Sequence, residues 1–418
     1  MTVSAVSQAD NAAKASTTLT ILARHSVAVR PTASGIAEFF EVASGDVFAP
    51  RGNNYIRLAE QTNPFGQEFY HSTFNVGMYD SARVESALAS MQGYGYIFVR
   101  VFLNTCCNDG IGNVNGAGLS SSYMANVADF LNRAANHSIQ VMLTWEWLPD
   151  YGGYSIGGCA ADPSQAAFNA LNLCPGGVSG SVHFAHDIVQ ALIDQGARLD
   201  AVFAFEIRNE YSYDTSLPPL SWTTGTFTAA DGQTYDMSSS ASRQQMMDNG
   251  LIYYTNQVRG AIVALDPTAL VDVGFFVPQT PNPTRIGDTR VIEIYPAMAN
   301  STADFVALHP YPIPSGLTMS QYVQNFGFVG YQQQKPVVMG EFGAGEADYP
   351  VIAQAASVLQ DWQVQSCAYS FKGWSLWTWD TDETEPGTPN PNPNWTALSG
   401  NGEINSALAP SVRPDPCQ

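Results

Sequence analysis

Apolar and polar positions along this chain fall into two alternating rhythms. Short apolar, β-prone runs recur at Gly52–Arg57, Tyr96–Leu103, Ile139–Trp145, Ala201–Ile207, Leu270–Phe275, Phe305–Leu308, Pro336–Gly340 and Gly373–Trp379. Such runs suit strands covered on both faces, as in a parallel sheet. Between them, apolar residues are spaced three and four apart: Val127, Leu131 and Ala134; Leu251, Tyr254, Val258, Ile262 and Leu265; Val351, Ala355, Val358 and Trp362. Each set marks the buried face of one helix. Eight strands alternating with helices, joined by right-handed crossovers, predict an α/β fold in the form of a single (β/α)8 TIM barrel.

The remaining segments are placed around that frame. Residues 1–34 are rich in Ala, Ser and Thr without a sustained period and are expected to be a loosely ordered leader, leaving 35–418 as the barrel domain. Phe39-Phe40-Glu41-Val42 and Val47-Phe48 flank Ser44-Gly45-Asp46, which predicts an N-terminal hairpin closing the barrel floor. Long inserts rich in Gly, Pro and Asn follow strands three and four, at 148–181 and 211–240, on the side where loops shape a cleft. No internal repeat, linker or second domain is evident.

Composition narrows the partners. Seventeen basic against 37 acidic residues give a formal charge of -20, which disfavours nucleic acid and anionic membranes and suits a neutral substrate, such as a carbohydrate. Only 13% of residues are charged while 11% are aromatic, eight of them Trp, so much of the polar surface is uncharged. No run of 18 apolar residues occurs, and the N-terminus has no basic stretch followed by an apolar core of signal-peptide length.

The six cysteines lack the paired short spacing of a zinc site, so no metal is expected. Their even number fits disulfides, with Cys159 or Cys174 bridging to Cys106 or Cys107, and Cys367 to Cys417. Disulfides and an uncharged polar surface point to a secreted or periplasmic protein, its export signal removed or unconventional, and to a monomer. Asn136, Asn300 and Asn394 begin sequons of the kind chance supplies. His183 and His186 are read as helix-surface residues rather than ligands.

Two places carry chemistry. Phe205-Glu206-Ile207-Arg208-Asn209-Glu210 and Val337-Val338-Met339-Gly340-Glu341-Phe342-Gly343 each run an apolar strand into a glutamate where the chain leaves the sheet. One glutamate at a strand end is commonly a solvated or salt-bridged residue. A pair on strands four and seven would meet across the barrel mouth. Cleaving a glycosidic bond needs such a pair, one acid to protonate the leaving oxygen and one carboxylate to meet the developing positive charge. A separation of about 5 to 5.5 Å would make the second carboxylate a nucleophile and preserve anomeric configuration.

Around these glutamates stand Asn209, Arg100 within Phe98-Val99-Arg100-Val101, His309-Pro310-Tyr311, Trp377-Thr378-Trp379, and the closing Ile404-Asn405-Ser406-Ala407-Leu408-Ala409-Pro410. With Glu210 and Gly340-Glu341-Phe342-Gly343, this set resembles the retaining glycoside hydrolases of clan A, most closely family five, the cellulase and mannanase family, over roughly residues 39 to 410. The resemblance implies Glu210 as acid/base and Glu341 as nucleophile. It implies Asn209 on the sugar 2-hydroxyl, Arg100 and Tyr311 holding Glu341 ionised, His309 in the site, and Trp379 beneath the sugar. No cofactor is implied. Where members of that family often carry a His near the end of strand three, this chain has Thr144-Trp145-Glu146-Trp147; Glu146 is a candidate for a sugar hydroxyl, and Trp145 or Trp147 for a cleft wall. The expectation is hydrolysis of a β-mannan or β-glucan by double displacement through a glycosyl-enzyme intermediate. Exo-action on short oligosaccharides or glycoconjugates is the alternative, and an inactive carbohydrate-binding barrel ranks below both. A metal-dependent barrel hydrolase would need His and Asp clusters at strand ends that the sequence does not offer.

Overall fold

All eight apolar runs form strands of one parallel sheet that closes on itself. We describe residues 2–6, 14–18, 25–63, 66–154, 169–276, 294–327, 334–381 and 393–418 of the computed structural model. The strands are β1 (Arg51–Asn54), β2 (Phe98–Phe102), β3 (Gln140–Thr144), β4 (Val202–Glu206), β5 (two pieces, Val271–Asp272 and Gly274–Phe276), β6 (Val306–His309), β7 (Val337–Phe342) and β8 (Gly373–Leu376). Successive strands pair in parallel from β1 to β4 and from β6 to β8, and β8 pairs with β1. The first piece of β5 pairs with β4 and the second with β6, which completes the ring. A closed sheet has no unpaired edge.

Helices α1 (Ser81–Gly93), α2 (Ser121–Asn136), α3 (Pro175–Asp194), α4 (Ser240–Leu265), α5 (Ile294–Ala299), α6 (Met319–Asn325), α7 (Ile352–Cys367) and α8 (Ser399–Leu408) follow the strands in turn. The fold is the (β/α)8 barrel that the periodicity predicted. Val127, Leu131 and Ala134 of α2, and Leu251, Tyr254, Val258 and Ile262 of α4, are buried against the sheet. Val351 is 51% exposed because the helix begins one residue later, whereas Ala355 and Trp362 of α7 are buried. Helices α1 and α3 lie outside the three patterns read from the sequence, although their buried residues keep the same spacing: Val84, Leu88 and Met91 in α1, and Phe184, Ile188 and Leu192 in α3. Asp80 starts α1 by accepting from the N–H groups of Ala82 and Arg83, and Pro175 opens α3, where its missing N–H costs nothing.

A plug of aromatics fills the barrel floor. Phe39 and Phe48 come from the N-terminal hairpin, and the Phe39 ring lies 5.1 Å from Phe203 and 5.2 Å from Phe305. Phe48 N–H donates to Phe39 O, as the sequence suggested, while Ala37–Glu41 also pairs antiparallel with Val27–Pro31. Val27–Pro31 therefore belongs to the hairpin although it falls within the stretch expected as leader. Thr2–Val6 pairs with Lys14–Thr18.

At the opposite end, the 211–240 insert carries a short hairpin, Thr226–Thr228 with Thr234–Asp236. An unanticipated hairpin, Leu58–Asn63 with Gly66–His71, rises from β1. Cys367 and Cys417 are bridged as expected, tying α7 to the last turn of the chain. Cys106 and Cys107 need correcting: they bond to each other, so neither is available to Cys174. Cys107 has φ +70°, a turn that long-spacing arguments do not consider. Cys159 lies outside the described residues. Among the described residues, no helix is long and apolar enough to cross a membrane.

Candidate active site

The centre of the site is a buried arginine. Arg100 of β2 projects into the barrel, fully buried, and its planar fork is used on every side. Nη1 donates to Asn54 Oδ1 at 2.9 Å and to Glu341 Oε1 at 2.6 Å. Nη2 donates to Asn209 Oδ1 at 2.6 Å and to Glu206 Oε1, which also accepts from Nε at 3.2 Å. One guanidinium thus fixes side chains from β1, β4 and β7 relative to one another. A lysine offers no such planar fork.

Glu341 stands within β7, 4% exposed, and its second oxygen accepts from Tyr311 at 2.7 Å. The preceding glycine is a packing requirement, since a Cβ at Gly340 would lie 3.1 Å from both Ala307 Cβ and His309 Nε2. Glu210 has a more open setting: its side chain is 38% exposed, and its backbone has φ +44°, in the left-handed region that non-glycine residues rarely occupy. His309, the last residue of β6, places Nδ1 3.1 Å from Glu210 Oε1 and 3.5 Å from Glu341 Oε1. Ligand atoms of Glu210, His309 and Glu341 all lie within 4.8 Å of one another. Asn209 extends the network by donating from Nδ2 to Glu146 Oε1 at 2.7 Å.

Electrostatics separates the two carboxyls. Burial pushes Glu341 up, but His309, Arg100 and the Tyr311 hydroxyl together outweigh it, and its pKa is lowered. Burial, with the charge of Glu341, raises Glu210 despite the hydrogen bond from His309. Burial works against a charged His309, yet the two glutamates reverse this and raise it. One acid is held ionised and its neighbour is biased toward the protonated form. Two carboxylates and an imidazole are also a donor set that a cation could occupy. Among the described residues the other such trio is Cys106, Cys107 and Asp150, whose two sulfurs are bonded together.

Of the nine residues singled out in the sequence, Glu210, Glu341, Arg100, Asn209, His309, Tyr311 and Glu146 come together here. Trp145 and Trp379 do not. Trp145 is 2% exposed and meets the edge of Phe184 of α3 at 5.7 Å, in the layer between sheet and helices. Trp379 is packed outside the barrel beside Tyr94 and Tyr96. Trp377 takes the inner position instead, clustered with Ile56, Phe102 and Tyr311. Strand parity would have found it, because Ser375 points inward, its Oγ accepting from Asn54 Nδ2 at 3.0 Å, and Trp377 is two residues on. By the same parity Thr144 faces in and Trp145 out. His71 was missed altogether; it stacks on Phe102 at 4.1 Å and meets Trp377 edge-on at 6.0 Å. Nothing in its hairpin sequence signals that position. Trp147 covers Arg208, whose guanidinium carbon lies 3.8 Å from the ring centre.

No protein-family model matches the chain, and no curated protein matches it by sequence. The fold does have solved counterparts. A β-mannanase from the blue mussel Mytilus edulis is 17% identical, with 94% of this chain and 98% of that one covered at a TM-score of 0.54. An endo-1,4-β-mannanase from Rhizomucor miehei is 16% identical, with 93% and 100% covered at 0.59. A glycoside hydrolase family 5 mannosidase from Rhizomucor miehei is 13% identical, with 92% and 97% covered at 0.57. At such identities the likeness is one of fold.

Proposed function

We propose that this chain is a retaining β-glycoside hydrolase of the family five type, acting on β-linked mannose or glucose chains, with mannan the first choice because mannanases and a mannosidase share the fold. One observation carries the reading: Glu210 and Glu341 present oxygens within 4.8 Å of each other, in opposed electrostatic settings. Inverting enzymes need about 6.5 to 9.5 Å to admit a water, whereas retaining ones hold their carboxyls at about 5 to 5.5 Å.

In the first step, ionised Glu341 attacks the anomeric carbon while Glu210 gives its proton to the departing oxygen. Arg100 and Tyr311 keep Glu341 ionised until attack, and Asn209 is placed to bond the sugar 2-hydroxyl as the ring flattens. Once Glu341 is an ester its charge no longer raises Glu210. Glu210 then takes a proton from water, and the hydroxide formed displaces Glu341 with a second inversion. Trp377, beside Tyr311, is the apolar face for the sugar on the Glu341 side.

A second reading concerns the mode of attack. His71, the last residue of the hairpin after β1, meets Trp377 edge-on at 6.0 Å, and a side chain there would limit the space beyond the sugar that Trp377 would carry. This favours exo-action on chain ends over mid-chain cleavage. The disulfides support an oxidising compartment, hence secretion or a periplasmic location.

The test is turnover of mannan, cellulose, mixed-linkage glucan and aryl β-mannosides and β-glucosides, with proton NMR of the first anomer released. The β-anomer is expected first. Glu341→Gln should abolish turnover of activated aryl glycosides with the circular dichroism spectrum unchanged. An α-anomer as first product, or an active E341Q, removes the assignment; rapid loss of mannan viscosity removes the exo reading alone.

A further inference from the structure

Beneath Arg100 lies a second pair of acids that the double displacement does not use. Glu206, the last residue of β4, and Asp272 of β5 are register partners on adjacent strands, both 0% exposed. Glu206 Oε1 is saturated, accepting from Thr144 Oγ1 at 2.5 Å and from Arg100. Its Oε2 has no donor, and neither has either oxygen of Asp272. Gly274 leaves them room: a Cβ there would lie 2.9 Å from Glu206 Cδ.

Two ionised carboxylates cannot sit this way. Each orphaned oxygen forfeits its hydration without a replacement, and the like charges repel in a dry interior. Arg100 is the cation at hand and is already divided between Glu206 and Glu341. Among the described residues, the charged groups that act on Asp272 are Glu206, Arg100 and Asp304 ahead of β6; Thr144 of β3 and Asn54 of β1, bonded to Glu206 and Arg100, are neutral. Asp304 has its own cation, Arg259, which donates to both of its carboxylate oxygens at 3.0 Å, so it brings no counter-charge to the pair and takes none from it. A single proton between Glu206 and Asp272 removes their repulsion and gives Glu206 Oε2 a donor, so that the pair presents one charge, which shares Arg100 with Glu341. Burial first, then the charge of Glu206, drives Asp272 well above the ordinary carboxyl range, in keeping with this arrangement.

We propose that Asp272 is a neutral acid donating to Glu206 Oε2, and that the pair is a positioning device which holds Arg100 with one counter-charge and so sets how firmly Glu341 is kept ionised. The second half rests on Glu341 being the nucleophile; the first does not.

Both halves are testable on the full chain. Infrared difference spectra at neutral pH, wild type against Asp272→Asn, should show loss of a protonated carboxyl C=O band with no loss of carboxylate bands. Glu206→Gln should move the acid limb of kcat/KM down by about one pH unit, because Arg100 then serves Glu341 alone. D272N, which still donates to Glu206, should leave that limb in place. Loss of carboxylate bands in D272N, an unmoved limb in E206Q, or equal movement in both variants overturns the proposal. A wild-type chain inactive on every β-glycoside would sink the hydrolase reading instead, and the infrared spectra would still decide the proton.

Discussion

Replacing Tyr311 with phenylalanine removes one hydroxyl from the site and keeps the ring that packs against Ile56, Phe102 and Trp377. That hydroxyl donates to Glu341 Oε2 at 2.7 Å, while Arg100 continues to hold Oε1 at 2.6 Å. A hydrogen bond to a charged group contributes about 1.5–3 kcal/mol net. Because the loss falls on the ionised form, and about 1.36 kcal/mol corresponds to one pKa unit, Glu341 should rise by about one to two units. Turnover needs Glu341 ionised, so activity present above its pKa is lost as pH falls through it. The lowered pKa of Glu341 places that acid limb below the usual carboxylate range, and Y311F should carry it up toward neutrality. The alkaline limb, set by deprotonation of Glu210, should stay within a few tenths of a unit. The assay is kcat/KM against pH on an aryl β-mannoside with a good leaving group, whose limbs report the free enzyme. An acid limb that stays put or moves down, or two limbs moving together, would refute the electrostatic account of Glu341.

Three further outcomes are expected. Glu210→Ala should spare substrates with activated leaving groups far more than natural ones, and azide should restore its turnover as a β-glycosyl azide; equal loss on both substrate kinds contradicts the acid role. Trp377→Ala should lower kcat/KM by about twofold to tenfold beyond any lost contact area, while Trp379→Ala should instead cost about 3–5 kcal/mol of stability in urea, and the reverse pattern would return Trp379 to the site. Phe39→Ala, which empties the floor plug beside Phe203 and Phe305, should cost about 3–5 kcal/mol by the same measurement with kinetics of the folded fraction intact; a cost under about 1 kcal/mol would mean the hairpin does not seal the barrel.

What the sequence disclosed follows from which forces are local. Parallel strands need apolar faces on both sides, so seven of the eight are legible as apolar runs, whereas β1, Arg51-Gly52-Asn53-Asn54, is marked only by the Tyr55-Ile56 that follows it; Glu341 stands out inside such a run and Glu210 just beyond one. Residues after a strand are harder, since parity holds only while the chain stays extended. Ser375 and Trp377 keep it, but Trp379 has left the strand and turned outward, although its type and spacing looked equally suitable. Trp145 shows the complementary case: an aromatic at a strand end suits a cleft wall by type, but parity with Leu143 places it among the helices. Contacts between remote segments leave no local trace, and His71 reached Trp377 by a hairpin whose sequence is unremarkable. The acids beneath Arg100 are the instructive case. Neither Glu206 nor Asp272 is legible in the sequence as a site residue, because a carboxyl inside an apolar run carries no meaning until the strands on either side are known. Once β4 and β5 are in register, two acids share one dry space with a single cation, and only their partnership explains why a barrel interior tolerates them.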